Sequence, residues 1–217
     1  MAFSYNDAAQ LQSDAHYTQN YQTQLRDYLG EAAPQVQWQY LIPELGEGGA
    51  CSLFGHLQDE PFSLTEHLDT NAQPQLSKLQ AIVDFVVEQS GVDWFGIYQS
   101  RDVDGEPQLL KLAYHGAPSR PLFPINEAFA ATSNNVQVVM SGKARIINDV
   151  EDYVAKGGEY YTCDPKVKSE SCLPLYSQQG KVVGIVDAEA FSKDFFTPER
   201  IALLVAACQE IVEHLPA

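Results

Sequence analysis

The sequence predicts an α+β protein in which helices flank one face of an antiparallel sheet and a ligand pocket lies against the other face. Apolar stripes with helical spacing occur near residue 80 and near the C-terminus, and strand-like runs lie between them. Hydrophobic residues make up 45% of the 217 residues, which is enough for a substantial core. The two helices can pack together on one face of the sheet, and a long connection over the other face would create the pocket.

The first half of this region has clear boundaries. Apolar residues recur at helical spacing over 76–87, and Gly91 is placed to end that helix. Residues 93–98 read as a strand, and the Asp-Gly pair at 104–105 predicts a hairpin. The returning strand is expected at 109–114.

The second half of this region also consists of predicted helices and strands. A short helix is predicted over 134–140, followed by a short strand over 144–147. Strands are predicted over 169–175 and 181–190, joined by a turn. Thr197 followed by proline is a typical helix start, and the residues after it form one apolar face.

Residues 1–75 are predicted to be an N-terminal extension, partly helical and partly irregular, and residues 76–217 to be one domain. A stripe of Leu and Tyr within 1–30 has helical spacing, whereas 30–75 is rich in Pro and Gly. We expect the helix either to pack on the domain or to pair two chains as a homodimer.

The charge of the chain argues against several partners. Thirteen Lys and Arg oppose twenty-nine Asp and Glu, giving a net charge of −16. Such a field repels nucleic acid and anionic membranes. No apolar run reaches the roughly 18 residues that a membrane helix needs. The first residues lack the basic and apolar regions of a secretory signal, so we expect a cytoplasmic protein.

The four cysteines are spaced too widely for a structural zinc site. They are Cys51, Cys163, Cys172 and Cys208, and no two form a Cys-x-x-Cys pair. We therefore predict neither a metal nor a cofactor. Cys208 lies on the apolar stripe of the last helix and is expected in the core, whereas Cys163 lies in a loop, where a cysteine is less often a packing residue.

Alternation along the strands sorts the candidate pocket residues. Trp94 and Tyr98 share one face of their strand, and Asp187 and Glu189 share one face of theirs. The two acids follow a very apolar run, so they form either a solvent-facing surface or the polar floor of a ligand site. Taken alone, an aromatic pair of this kind is more often part of a core than of a ligand site.

These residues occur in four short motifs. They are Asp93-Trp-Phe-Gly-Ile-Tyr98, Cys163-Asp164, Ser169-Glu170 and Gly184-Ile-Val-Asp-Ala-Glu189. In this order and spacing, residues 76–215 resemble the GAF domain family and, within it, the free methionine-(R)-sulfoxide reductases. The resemblance implies a GAF-like fold that binds free methionine sulfoxide or another amino-acid-like molecule.

The resemblance also implies roles for six residues. Cys163 would be the nucleophile that attacks the sulfoxide sulfur. Glu170, Asp187 and Glu189 would be the carboxylates that bind the ligand and donate a proton. Trp94 and Tyr98 would enclose the S-methyl group. Clustered carboxylates raise one another's pKa, so one of them can donate a proton near neutrality, although they also disfavour a thiolate beside them.

The chain departs from the family where two further cysteines are usual. Arg120 and Ala130 stand at those positions, and Asn126-Glu-Ala128 replaces a Gly-x-Gly. A sulfenic acid needs a second thiol to clear it. Cys172 shares a strand face with Glu170 and is the candidate resolving residue, with an external thiol reductant as the other source.

Three classes of function remain open on sequence. The first is a sulfoxide reductase acting through Cys163. The second is a GAF sensor that binds a ligand without turnover and signals through a partner or dimer, and the third is an interaction protein with a vestigial pocket. A hard-cation site that combines Glu170, Asp187 and Glu189 with His115 is a further alternative.

Overall fold

The computed structural model describes residues 3–46, 55–161 and 164–217. Cys51 and Cys163 fall outside these ranges, so the predicted role of Cys163 has no geometric description here.

The described residues contain a six-stranded antiparallel sheet in the order β5-β4-β3-β8-β7-β6. Its strands are β3 Trp94–Val103, β4 Glu106–His115, β5 Leu122–Pro124, β6 Arg145–Ile147, β7 Ser169–Tyr176 and β8 Val182–Ala190. A separate pair is formed by β1 Gln39–Tyr40 and β2 Phe62–Ser63. The predicted sheet is confirmed, and β5 is a strand that the sequence pattern missed.

The hairpin between β3 and β4 forms as predicted. Asp104 and Gly105 both adopt left-handed backbone conformations, with φ of 55° and 83°. This is the geometry that a two-residue type I′ turn requires, and Asp-Gly tolerates it. The Asp102 side chain also accepts a hydrogen bond from the Gly105 amide at 2.9 Å.

Helices cover one face of the sheet. They are α1 Tyr5–Ala9, α2 Ala15–Glu31, α3 Gln73–Ser90 and α7 Pro198–Ile211. Helix α3 ends at Gly91, whose φ is 69°, and α7 begins at Thr197, whose hydroxyl accepts from the Arg200 amide. The predicted ends of both helices are therefore confirmed. Helices α3 and α7 pack on each other and on the sheet, and their buried side chains join one large apolar core.

The N-terminal extension packs on this helical layer. Leu25 and Leu29 of α2 are buried in the same core, where α2 lies against α7 and α3. At the edge of this contact, Arg26 Nε lies 3.1 Å from a carboxylate oxygen of Glu210 on α7. Ahead of α2, the Tyr5 hydroxyl of α1 donates to the Pro174 carbonyl at 2.8 Å.

Short helices lie over the second face. They are α4 Glu127–Ala130 and α5 Asn134–Ser141, with α6 Val150–Ala155 beside β6. Helix α5 contacts β7 and β8, and it ends at Gly142 as predicted. The second face carries its own smaller core around Trp94 and Tyr98. Within the described ranges, no helix combines the length and the apolar character that a bilayer span requires.

Candidate functional site

A cavity of about 50 Å³ lies on the second face, between the sheet, the start of α5 and the loop of residues 116–121. A single water needs roughly 10–15 Å³ of such space, so the cavity is large enough for a small ligand. Five residues that the sequence analysis singled out line it: Trp94, Tyr98, Glu170, Asp187 and Glu189. The structure thus brings the aromatic pair and the three carboxylates together.

The aromatic wall is built from alternate residues of β3. The ring centroids of Trp94 and Tyr98 are 6.4 Å apart, and both side chains are buried. The Trp94 indole donates to the Ala117 carbonyl at 3.0 Å. Gly96 lies beneath the indole, and a Cβ atom there would be 2.2 Å from the ring. The glycine of the Trp-Phe-Gly motif is therefore what allows Trp94 to lie flat across its own strand.

The carboxylates come from two neighbouring strands. Glu170 of β7 pairs directly with Glu189 of β8, and Asp187 pairs with Cys172. Glu170 and Asp187 are both about 5% exposed, whereas Glu189 is half-buried. A solvent-facing acidic surface is therefore the wrong interpretation for Asp187. Two buried carboxylates on one apolar sheet face are costly unless they are protonated or paired.

Two asparagines at the start of α5 partner these carboxylates. Asn134 Nδ2 donates to Glu170 Oε1 at 2.9 Å, and Asn135 Nδ2 donates to Asp187 Oδ2 at 2.9 Å. The Ser133 hydroxyl caps the helix by accepting from the Val136 amide, which fixes the position of both asparagines. Sequence reasoning predicted the helix but missed this role. The sequence does contain a signal for this role. Two consecutive asparagines follow the capping serine and precede an apolar run.

Three buried acceptor oxygens in this group have no hydrogen-bond partner among the described residues. They are Asn134 Oδ1, Asn135 Oδ1 and Asp187 Oδ1. The amide nitrogens donate to the two carboxyl groups, which places the oxygen of each asparagine at the other side of its amide. Buried polar atoms are nearly always satisfied in folded proteins. Asn134, Asn135 and Asp187 also line the cavity, so side chains with unused acceptor capacity lie beside it.

Burial controls the protonation of the carboxyl pair. It raises the pKa of Asp187 well above the ordinary 3.8, and the nearby Glu170 raises it further, against the opposing hydrogen bond from Asn135. Burial also raises the pKa of Glu170, although hydrogen bonds from Tyr160 and Asn134 and the charge of Arg145 oppose this shift. Two interacting acids of this kind titrate together and hold a proton more tightly than exposed carboxyls do.

One basic residue, Arg120, lies among the described residues that line the cavity. Its guanidinium carbon is 5.4 Å from the ring centroid of Phe123 and 4.7 Å from that of Phe129. It donates to the Tyr161 hydroxyl at 3.2 Å and to the Leu122 carbonyl. The sequence analysis noted Arg120 as a departure from the family and did not predict its position in the cavity wall.

The loop that carries Arg120 is tied to the N-terminal extension. Lys111 of β4 is fully buried, and its Nζ donates to the backbone carbonyl and hydroxyl of Ser119 at 2.9 and 2.7 Å. That ammonium lies 4.7 Å from the ring centroid of Tyr40 and 4.0 Å from that of Tyr114. Tyr40 also donates its hydroxyl to the Lys111 carbonyl at 3.0 Å. Residues near 40 thus stabilise one wall of the cavity.

Two of the four cysteines, Cys172 and Cys208, lie within the described residues, and both are buried. Cys163 is outside the described residues, but Tyr161 and Asp164, two residues before it and one after it, both line the cavity. Cys172 is fully buried on the cavity face of β7, and burial, followed by the charges of Asp187 and Glu170, raises its pKa well above the ordinary value. Cys208 is buried on α7, which confirms its predicted core position, and burial raises its pKa to about 12.

The alternative cation site does not form in the described parts of the chain. No grouping of three or more His, Cys, Asp or Glu side chains there has a geometry that could hold a metal ion. His115 is exposed at the end of β4 and is not among the residues that line the cavity.

Comparison with known proteins identifies the class. The GAF domain family model matches residues 76–215, well over half of the chain. The chain therefore belongs to the GAF domain family. No match was found among curated proteins.

Solved structures of both GAF sensors and GAF-fold enzymes are similar to this chain. The type II free methionine-R-sulfoxide reductase of Thermoplasma acidophilum is 21% identical with a TM-score of 0.56, over 66% of this chain and 93% of that one. The free methionine-R-sulfoxide reductase of Neisseria meningitidis, in complex with its substrate, is 15% identical with a TM-score of 0.57, over 99% and 95% of the two chains. The GAF domain of an Acinetobacter phosphoenolpyruvate-protein phosphotransferase is 11% identical with a TM-score of 0.57, over 91% of each chain. At these identities the likeness shows the shared fold.

Proposed function

We propose that this chain binds free methionine-R-sulfoxide in the cavity on the second face and reduces it through Cys163. The observation that carries this proposal is the buried carboxyl pair Glu170 and Asp187, which lies under an aromatic wall and has raised pKa values. A sulfoxide oxygen is a weak base and needs an acid that is still protonated near neutral pH. Two buried carboxyl groups that interact with each other can keep a proton at that pH, whereas exposed carboxyl groups cannot.

The remaining parts of the cavity suit the same substrate. Trp94 and Tyr98 offer an apolar wall for the S-methyl group. Glu189 adds a third carboxylate at the mouth, where it pairs across the strands with Trp94. Tyr161 and Asp164 line the cavity close to Cys163 in the sequence, which supports assigning Cys163 as the nucleophile.

The proposed reaction removes one oxygen atom from the substrate. The Cys163 sulfur attacks the sulfoxide sulfur while a carboxyl group of the pair gives its proton to the sulfoxide oxygen. With a second proton the sulfur–oxygen bond of the substrate breaks and the oxygen leaves as water, while the two sulfurs stay bonded as a sulfonium. Water then adds to the Cys163 sulfur and releases a proton, the sulfur–sulfur bond breaks, methionine leaves, and Cys163 is left as a sulfenic acid. The sulfoxide is reduced by two electrons and the cysteine is oxidised by two.

An external thiol is the better candidate for restoring Cys163. One thiol condenses with the sulfenic acid, releasing water and leaving a mixed disulfide, and a second thiol displaces Cys163 and leaves as a disulfide. The predicted resolving residue, Cys172, is fully buried and its pKa is raised. Both properties slow attack by a thiol, because the thiolate is the nucleophile and needs access.

The test is to supply free methionine-R-sulfoxide with a dithiol and to measure the methionine formed. We expect turnover by the wild type and none by Cys163→Ser. Cys208→Ala is the matched control, since Cys208 is buried on the helical side of the sheet, and it should retain turnover. A Cys163→Ser variant that reduces the substrate as fast as the wild type would rule out this mechanism.

A ligand sensor without turnover is the second candidate function. Arg120 occupies a position where the resembling reductases usually carry a cysteine, and it lines the cavity. Binding of methionine or its sulfoxide by the wild type, without methionine formation at any dithiol concentration, would favour the sensor. In that case a partner or a homodimer would carry the signal. The homodimer and the cytoplasmic location stay predictions.

A further inference from the structure

The aromatic wall of the cavity is fastened to one loop. The Trp94 indole donates to the Ala117 carbonyl at 3.0 Å, and the Tyr98 hydroxyl donates to the Arg120 carbonyl at 3.3 Å. Both acceptors belong to the loop of residues 116–121, which is in no helix or strand and supplies four residues to the cavity lining. The shape of this side of the cavity therefore depends on what holds the loop in place.

Lys111 on β4 holds this loop at two points. Its Nζ donates to the Ser119 carbonyl at 2.9 Å and to the Ser119 hydroxyl at 2.7 Å, and its backbone amide donates to the Pro121 carbonyl at 2.9 Å. A hydrogen bond from a charged donor is roughly twice as strong as a neutral one. Ser119 lies between the two residues whose carbonyl groups bind Trp94 and Tyr98, so the ammonium restrains the central part of the loop.

The N-terminal extension covers the Lys111 side chain. The ring centroid of Tyr40 lies 4.7 Å from Nζ, and those of Tyr114 and Trp94 lie 4.0 and 6.0 Å from it. The Tyr40 hydroxyl donates to the Lys111 carbonyl at 3.0 Å, and burial raises the pKa of Tyr40, so the hydroxyl keeps its proton. The faces of aromatic rings attract a cation, most strongly where water is excluded. Tyr40 therefore helps to retain the charge of Lys111 in the interior.

We propose that Lys111 is a positioning residue that couples the N-terminal extension to the aromatic wall of the ligand cavity. Tyr40 keeps the ammonium against the loop of residues 116–121, and the ammonium holds the loop where Trp94 and Tyr98 can bond to it. Loss of this contact leaves the fold intact but weakens ligand binding, because the ligand must then order the wall itself. This inference rests on the cavity being the ligand site of the proposed function, but it does not depend on turnover.

The first test follows Trp94 and needs no ligand. Hydrogen exchange of its indole N–H is measured by NMR, and Trp38→Phe identifies the signal of the other tryptophan. Lys111→Met keeps a similar volume without an ammonium, so the fold should survive. After the contribution of global unfolding is removed, we expect exchange about tenfold faster than in the wild type, because a charge-assisted bond to the loop is lost. Lys111→Arg keeps a cation and should restore part of the protection.

The matched variants replace two tyrosines of the extension. Tyr40 and Tyr5 are both 6% exposed, and each donates its hydroxyl to a backbone carbonyl of the sheet, at Lys111 and Pro174 respectively. Tyr40→Leu should speed the exchange of Trp94 as Lys111→Met does. Tyr5→Leu should lower the free energy of unfolding by a similar amount but leave the local exchange of Trp94 unchanged. A purely structural role would move both variants alike.

The second test measures the affinity for L-methionine by calorimetry. We expect Lys111→Met and Tyr40→Leu to bind about tenfold more weakly than the wild type, and Tyr5→Leu to bind as the wild type does. Faster Trp94 exchange with unchanged methionine affinity would overturn the inference. If Lys111→Met does not fold, the comparison of Tyr40→Leu with Tyr5→Leu decides.

Other outcomes separate this inference from the proposed function. Equal exchange of Trp94 in the wild type and Lys111→Met overturns the inference even where the wild type reduces methionine-R-sulfoxide. Faster exchange in Lys111→Met and Tyr40→Leu, together with a wild type that neither binds nor reduces methionine-R-sulfoxide, supports the coupling and defeats the reductase proposal.

Discussion

The two faces of the central sheet are both covered by other elements but differ in chemistry. On β3, Phe95 and Ile97 face the helices and join a core of apolar side chains, whereas Trp94 and Tyr98 face the cavity. On β8 the neighbours of Asp187 face the helices and are apolar. The helical face includes the buried Ser171 hydroxyl, which pairs in register with Ala188, whereas the cavity face carries buried carboxyls and amides, and both faces hold oxygen atoms without partners among the described residues. One strand thus packs into a core on one side and lines a cavity on the other.

Substitutions on the helical face should have the largest effect on stability. Phe95 is fully buried there, and Phe95→Ala should lower the free energy of unfolding by about 3–5 kcal/mol, because it removes apolar contacts and leaves a cavity. Phe191 at the rim of the cavity is 39% exposed, and Phe191→Ala should cost about 1 kcal/mol or less. Urea denaturation measures both. Equal losses would show that the two faces do not differ in this way.

We expect the N-terminal extension to stabilise the domain through its contacts with the helical face. Leu25 of α2 is fully buried against the domain, so Leu25→Ala should lower the free energy of unfolding by about 2–5 kcal/mol. Tyr17 lies on the same helix and is 42% exposed, and Tyr17→Ala should change stability by no more than about 0.5 kcal/mol. An unchanged unfolding midpoint in Leu25→Ala would mean that the extension does not stabilise the domain.

The helical face could be predicted from sequence, whereas the cavity face could be predicted only in part. Helical spacing and cap residues such as Thr197 and Gly91 are local signals, and they located α3 and α7 to within a few residues. Strand alternation likewise placed Trp94 and Asp187 correctly. The bonds from Asn135 and the position of Arg120 depend on contacts between residues far apart in the chain. The two amides after a serine cap mark the asparagines as candidates, but no local pattern identifies the carboxyl groups that they bind.

The contact between Tyr40 and Lys111 could not be predicted for the same reason. Tyr40 lies in a stretch whose composition predicts irregular structure, and its stacking on Lys111 joins two segments 71 residues apart. The sequence alone predicts that a lysine in a strand is exposed to solvent, whereas Lys111 is fully buried among aromatic rings. The aromatic rings and the Ser119 hydroxyl stabilise the ammonium there, and only the folded structure brings them together.

On the cavity face, replacing a buried carboxyl group by an amide should weaken ligand binding and stabilise the fold at higher pH. The pKa of Asp187 is raised by burial, so between its ordinary value of 3.8 and its folded value the folded chain holds a proton that the unfolded chain has lost. The stability of the wild type falls as pH rises through that window. Asp187→Asn does not titrate, so its stability relative to the wild type should improve as pH rises above about 4.

The measurement is the free energy of unfolding of both proteins at pH 4, 6 and 8. Asp59→Asn, in an exposed segment, is the matched control for the loss of one carboxylate. Asp187→Asn should also bind methionine more weakly, because the substitution replaces a carboxyl oxygen of a residue that lines the cavity with an N–H donor. A variant that loses stability relative to the wild type as pH rises would contradict the raised pKa. Unchanged binding would remove Asp187 from the site.

The smallest effects are expected at the two buried cysteines, one on each face. Cys208→Ala removes one sulfur atom from the helical core and should cost about 1 kcal/mol without changing ligand affinity. Its pKa of about 12 leaves almost no thiolate at neutral pH, so native Cys208 should resist iodoacetamide. Rapid alkylation in the folded protein would contradict its burial.

Cys172 on the cavity face tests the proposed route of reduction. After one equivalent of methionine-R-sulfoxide and no added thiol, dimedone should trap the Cys163 sulfenic acid equally well in the wild type and in Cys172→Ser, because Cys172 is fully buried and its pKa is raised. A disulfide requires Cα atoms roughly 4.4–6.8 Å apart, and any approach of Cys163 would also need the Cys172 thiol to become accessible. Mass spectrometry distinguishes the outcomes. A crosslinked Cys163–Cys172 peptide in the wild type would make Cys172 the resolving residue. The cavity face of the sheet would then supply both the proton donor and the second thiol.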